Sequence, residues 1–314
     1  MFGKIGVTAM GGDSKTVVEK IIKFENNGIK AAWLTTGGAG VDGLTIFAAA
    51  AMATESILLG TCITPTYPRH PITTVQQVQV INHLAPNRFR LGLGPSHKVS
   101  IEATYGIEHI APLTNLREYI FIVRSMLENG EVEFDGKQYS AHARVLSGQN
   151  LEIPIMASAL RVKSFELCGE ISDGAISWVC PGTYLRDVAI PALNKGASKA
   201  NRTVPPLIVH APICVHDDID EVRKAAREQL GNYPKSPFYQ QMFSDSGHPE
   251  AIEGVWSDGM IDDVILMGNE SAVANQIERL FKWGAGEIIA HPLLAGSDTE
   301  KSFERTLSLI SSLS

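Results

Sequence analysis

Eight times along this chain a short apolar run gives way to a stretch with helical spacing. That alternation limits the fold more than any single motif does. The apolar runs are Lys4–Met10, Ala31–Leu34, Ile57–Cys62, Arg88–Leu93, Ile153–Ala157, Gly174–Trp178, Leu207–Val215 and Glu287–Ala290. Helical stretches separate and follow them at Lys15–Asn27, Gly43–Glu55, Ile72–Leu84, Leu116–Asn129, Arg161–Glu170, Thr183–Ala200, Asp218–Leu230, Ser271–Trp283 and Glu300–Leu313. Two stretches break the rhythm. Residues 131–152 read as a hairpin built on a D-G turn followed by a loop, and residues 232–260 are rich in Pro, Gly, Ser and aromatics. Eight strands each followed by a helix, in 314 residues, predict an α/β fold: a single-domain eight-fold (β/α)8 TIM barrel over residues 1–314 with insertions. A dinucleotide-binding fold is a poorer fit, because no G-x-G-x-x-G follows the first strand. Gly11-Gly12-Asp13-Ser14-Lys15-Thr16 is not a phosphate loop; Asp13 or Ser14 reads as a helix cap.

Composition removes several function classes. Lys and Arg number 27 against 34 Asp and Glu, a net charge of −7, with no long basic run, so nucleic acid is not an expected partner. The longest apolar stretch, near Leu44–Ala53, is far too short to span a membrane. Met1–Met10 enters a strand pattern with no charged leader, which predicts a cytoplasmic protein. Cys62, Cys168, Cys180 and Cys214 lie far apart with no C-x-x-C, the pattern of buried thiols in a reducing compartment.

In a barrel of this kind, function sits just after each strand. Those positions carry small residues, hydroxyls and backbone amides: Gly11 and Gly12, Thr35 and Thr36, Cys62 to Tyr67, Gly92 to His97, Ala157 to Leu160, and Trp178. Such a lining suits a flat, polar, phosphate-bearing cofactor. No pair of acids suggests glycoside hydrolysis, and no H-E-x-x-H or carboxylate cluster suggests a metal. His70, His97 and His291 converge on one barrel face and offer proton transfer, although His70 beside Pro71 reads equally as a helix cap. Ser158-Ala159 reads as an N-cap, or as a phosphate site on free helix amides with Arg161 and Lys163 beside it. Trp178 reads as a barrel plug or as a stacking partner for a ring. His210 and Cys214 read as core.

The pattern L-G-T-x-(I/V)-x-P-T-Y-P-R-H-P from Leu59, followed by N-R-F-x-L-G-L-G-x-S-H from Asn87, resembles the bacterial-luciferase-like oxidoreductases. It resembles most their branch that uses coenzyme F420, a 5-deazaflavin. Leu116–Tyr119, Val132–Tyr139, Ala159–Gly174, Gly268–Val273 and Trp283–Ala285 extend the likeness over nearly the whole chain. The resemblance implies a homodimeric barrel that holds the cofactor at its C-terminal mouth. It implies a cis peptide at Cys62–Ile63 supporting the ring, Thr64 at the ring's carbonyl edge, and Ala157, Ser158 and Ala159 on the phosphate side. Ser96 and His97 would stand near the ring or substrate. The chain departs from that branch where Thr35-Thr36-Gly37-Gly38 replaces an acid–histidine pair and where Ser96-His97 replaces a glutamate. That leaves His97 as the first candidate for proton transfer and His70 as the second. The function implied is hydride transfer between the deazaflavin and a small organic substrate, in the direction of reducing an activated double bond or imine. An FMN-dependent monooxygenase and a non-catalytic flavin-binding barrel are the alternatives.

Overall fold

The computed structural model describes residues 4–145 and 150–314, so residues 146–149 of the first insertion lie outside the described residues. Eight parallel strands close into a ring. They are β1 (Lys4–Thr8), β2 (Ala31–Leu34), β3 (Leu58–Thr61), β4 (Phe89–Gly94), β5 (Ile155–Ser158), β6 (Ala175–Trp178), β7 (Leu207–Val215) and β8 (Ala285–Pro292). Each pairs with the next, β8 returns to β1, and the barrel expected from the alternation is what forms. A two-residue strand, Thr64–Pro65, continues past the end of β3 and pairs with β4. The three-residue strand Leu266–Gly268 pairs with the end of β7. The predicted D-G hairpin forms as the antiparallel strands Glu131–Asp135 and Ser140–Arg144. Among the described residues no helix is long and apolar enough to cross a membrane.

Side chains alternate across each strand, so one set packs under the helices and the other fills the barrel. Ile5, Val7, Leu59, Leu91 and Leu93 belong to the outer core. Trp33, Met156, Ile176, Ile208 and Ile289 form a separate inner cluster with Ala31 and Cys62. Trp33 occupies the barrel's middle because its neighbours leave room. A Cβ on Gly6 would lie 2.5 Å from its indole nitrogen, and one on Gly60 would lie 2.6 Å from its ring carbons. Below it, near the N-terminal ends of the strands, Arg90 and Glu287 form a buried two-pronged ion pair (2.6 and 2.9 Å). The Arg90 guanidinium stacks 4.3 Å from the Trp33 ring centre. The lower barrel is therefore solid, and only the upper end can admit a ligand.

Candidate active site

Above the Trp33 floor the strand ends enclose a cavity of about 1250 Å³. Of the residues expected to bind cofactor, Cys62, Ile63, Ser96, Ser158, Ala159 and Trp178 line it, and so does His97. The peptide bond between Cys62 and Ile63 is cis, as the resemblance implies. The loop after β2 holds this bulge: the Thr35 hydroxyl donates to the Cys62 carbonyl (2.8 Å) and the Thr36 amide to the Ile63 carbonyl (3.1 Å). Those threonines stand where the resemblance would place an acid–histidine pair, and they act as backbone clamps.

Three expected residues are placed elsewhere. Thr64 is fully buried behind the bulge, its hydroxyl sealed without a partner, and it does not line the cavity. Ala157 is equally buried and packs in the outer core. His70 caps the helix Pro71–Leu84, its Nδ1 accepting from the Ile72 amide (3.3 Å), and its ring meets Tyr139 edge-on. That is the capping role that Pro71 beside it suggested.

Ser158 and Ala159 are not the N-cap either. Ser158 ends β5 and Ala159 follows it, and the helix Val162–Ile171 begins after Arg161, where the Leu160 and Arg161 amides both donate to the Ser164 hydroxyl (3.0 Å each). Arg161 reaches Asp245 with one nitrogen (3.0 Å), while its Nη1 is buried without a hydrogen-bond partner among the described residues. With Lys163 and Ser164 also in the wall, this end of the cavity is built for an anion.

A second group gathers at the floor. The Trp178 ring lies 4.1 Å from His210 and 5.1 Å from His291, and the two imidazoles are 5.7 Å apart. The Thr8 hydroxyl hydrogen-bonds His291 Nδ1 at 3.0 Å. Burial pushes the His291 pKa down to about 4; burial and then the His291 charge push His210 well below its ordinary value. His97 sits at the rim against Tyr233 and Tyr239, 6.2 and 5.9 Å away. Its ring is exposed by area yet crowded by protein. Desolvation first, and the His109 charge second, lower its pKa. The assignment of His210 to the core missed its place in this cavity. Period-two counting could have found it, since His210 pairs directly with Trp178 across β6 and β7 and so faces the same way. No Asp or Glu lines the cavity, and no group of three or more potential metal ligands exists, among the described residues.

The model of the family described as luciferase-like monooxygenase matches residues 4–287. The 5,10-methylenetetrahydromethanopterin reductase of Methanopyrus kandleri is 25% identical over 336 residues, covering 95% of this chain and 95% of that protein. The F420-dependent glucose-6-phosphate dehydrogenase of Beutenbergia cavernae is 32% identical over 197 residues, covering 61% of this chain and 58% of that protein. An F420-dependent secondary alcohol dehydrogenase, solved with an F420–acetone adduct, superposes with a TM-score of 0.85 at 18% identity over 100% of both chains. A type II Baeyer–Villiger monooxygenase solved with FMN superposes with a TM-score of 0.74 at 17% identity over 98% of this chain and 96% of that one. These two superpositions show a shared fold. Since the family model spans almost all of a barrel that carries the expected cis bulge, the chain belongs to the luciferase-like monooxygenase family.

Proposed function

We propose that this protein is an F420-dependent oxidoreductase that moves a hydride between the bound deazaflavin and a small organic substrate. The observation that carries the reading is the unpartnered, buried Nη1 of Arg161 in the wall of a large cavity free of carboxylates. A buried guanidinium nitrogen left without an acceptor costs free energy, and an anionic phosphate at that wall would satisfy it. The same cavity has the volume for a flat tricyclic ring, with Cys62 and Ile63 on one side and Trp178 on another. The residues present therefore fit a ring with a phosphate-bearing tail.

When bound, the deazaflavin supplies a carbon that accepts or gives a hydride. The chain's own residues do the rest. Arg161, Lys163, Ser158 and the Val162 and Lys163 amides in the first turn of the helix Val162–Ile171 would hold the phosphate end. Cys62, Ile63 and Ser96 would flank the ring, and Trp178, Tyr233 and Tyr239 would keep water from the reacting centre. The small substrate would enter past His97 at the rim.

Titration with each cofactor tests this. F420 fluorescence is expected to quench at micromolar protein while FMN fluorescence does not. Tight FMN binding with oxygen-dependent NADH consumption would instead establish the monooxygenase alternative, and F420 binding without turnover across a broad substrate panel the non-catalytic one. Arg161→Gln should weaken F420 about tenfold or more, the scale of one charged hydrogen bond. Asp245→Asn, which removes only the partner on the far side of Arg161, should not. Equal affinity in Arg161→Gln and the unaltered protein would remove Arg161 from the phosphate site.

The reading includes a homodimer and a reducing, cytoplasmic setting. Exposed Met52 on the helix Gly43–Ala53, and Val80 and Leu84 on the helix Pro71–Leu84 packed beside it, support the first. The four free, buried cysteines support the second. Light scattering should give twice 34.0 kDa, and a mass of 34.0 kDa would exclude the dimer.

A further inference from the structure

We infer that the substrate of this site is a neutral molecule carrying a flat aromatic ring, and that Tyr233, Phe238 and Tyr239 determine that specificity. The inference deepens the cofactor reading above and rests on it for the part of the cavity left to the substrate.

The rings of the cavity are segregated. Among the described residues, every Trp, Tyr and Phe that lines it comes from the end of β6 or from the insertion at residues 232–260: Trp178, Tyr233, Phe238 and Tyr239. The loops after β1, β2 and β3 contribute Met10, Thr35, Thr36, Gly37, Cys62 and Ile63, with no ring among them. In a closed ring of eight strands β2 stands opposite β6 and β3 opposite β7, so the aromatic wall faces the cis bulge across the cavity. A deazaflavin seated against the bulge leaves that wall to the substrate.

The wall is a continuous chain of ring contacts. Tyr233 meets Trp178 edge-on at 5.8 Å and Tyr239 edge-on at 5.1 Å. His97, from the loop after β4, closes on both tyrosines from the other side of the mouth. Phe238 stands next to Tyr239 on the helix Pro237–Asp245 and lines the cavity while 60% exposed. A large apolar ring left open at a cavity mouth marks a place for an apolar ligand. The backbone beside this wall is also strained. Ser96, just before His97, and Val179, just after Trp178, have φ of 59° and 53°. A β-branched residue in the left-handed region persists only where its surroundings fix it, and such positions gather at ligand sites.

Charge is segregated as well. Arg161 and Lys163, both past β5, are the only Lys, Arg, Asp or Glu in the lining among the described residues. An anionic substrate would compete for the cofactor's phosphate end, and a cationic one would find no carboxylate to offset its lost hydration. A neutral ring incurs neither cost. It gains stacked and edge-to-face contacts that a saturated ring of the same carbon skeleton lacks, and two such pairs amount to about tenfold in affinity.

Isothermal titration calorimetry on the full chain, with and without F420, tests this with four probes. They are naphthamide, its saturated counterpart decahydronaphthamide, naphthalenesulfonate and naphthyltrimethylammonium. Naphthamide should bind the F420-loaded protein about tenfold tighter than each of the others. Tyr233→Leu and Tyr239→Leu should each bring naphthamide and its saturated counterpart to within about threefold, and Tyr239→Phe should keep the full gap. Phe238→Leu, at an exposed position where folding is not at stake, should narrow the gap by about threefold. No naphthamide binding, equal binding of the saturated probe, or tighter binding of either charged probe overturns the substrate class. A gap unchanged in the leucine variants overturns the assignment of specificity to these rings, and Phe238→Leu alone decides it if the tyrosine variants do not fold. Displacement of naphthamide by F420 puts the probe on the cofactor's side and overturns the inference. Failure of F420 to bind while the naphthamide gap persists strikes the cofactor reading alone.

Discussion

At the scale of single residues, the buried polar atoms separate ligand contacts from packing. Thr64 and Arg161 both carry a buried polar atom without a partner, but only Arg161 stands in the cavity wall. Thr64→Val should therefore leave F420 affinity unchanged and leave stability equal or higher by up to about 1 kcal/mol, because it removes a hydroxyl that has nothing to bond. Weakened binding would restore the ring contact that the resemblance implies for Thr64. His291 makes a second prediction. Its folded pKa of about 4 lies below the ordinary 6.5, so between those values the unfolded chain binds the extra proton. Stability from this group is complete above about pH 6.5 and is lost as pH falls toward 4, by about 3 kcal/mol. Urea titrations across that range should show the decline, flattened in His291→Gln. An equally steep decline in the variant would mean that other groups drive it. The cavity-lining residues after β3, β4 and β5 were legible because a strand end announces itself in sequence. His210 was not, because a histidine in an apolar strand looks the same whether it faces a packed core or the floor of a cavity.

Elements show a different boundary between what can and cannot be read. The D-G hairpin forms where its turn predicts, and a carboxylate 13 residues upstream of its first strand anchors it. Glu118 accepts from the amides of Lys137, Gln138 and Tyr139 at 2.8, 2.8 and 3.1 Å, nearly closing off the charge. Tyr139 then donates to the Thr66 carbonyl (3.1 Å) and accepts from Asn115 (2.9 Å), while the Thr66 hydroxyl donates to Asn115 (2.6 Å). The insertion is thus bolted to the segment just past the cis bulge. Glu118→Gln puts a donor where acceptors are needed and should cost about 2 kcal/mol, with Tm falling by several degrees. Hydrogen exchange should quicken at residues 131–144 while β1 and β8 stay protected. Uniform loss of protection would mean that the hairpin is not a separable unit. The continuous helix expected at Thr183–Ala200 instead contains a π-turn at Leu185–Ala189, since Pro191 has no amide to give to the preceding turn. The helices Lys98–Tyr105 and Pro237–Asp245 and the strand Leu266–Gly268 escaped notice for a related reason: each is too short for a period to emerge.

The whole molecule depends on contacts that no local pattern announces. Closure of the barrel follows from counting strands, but what fills it does not. The Arg90–Glu287 pair joins β4 to β8 across 197 residues of sequence, and Trp33 lies over it. Both side chains are nearly inaccessible, at 9% and 7% exposure, so the pair has lost most of its hydration. A buried pair of this kind adds little net stability, yet breaking it strands a charge in an apolar interior. Glu287→Met and Arg90→Met should each cost about 3–5 kcal/mol for that reason. The double variant Arg90→Met/Glu287→Met should recover most of the loss, because neither charge is then left alone. Urea unfolding of all four proteins gives the coupling directly, with Trp33 as a probe above the pair. Because the indole shares its cluster with Cys62 and Ile176 in the cavity wall, a stranded charge beneath it should also weaken F420 binding, and the double variant should restore it. Additive losses in the double variant would show that the pair is not the device that seals the lower barrel. In that case the floor of the site would rest on the packing of Trp33 between Gly6 and Gly60 alone.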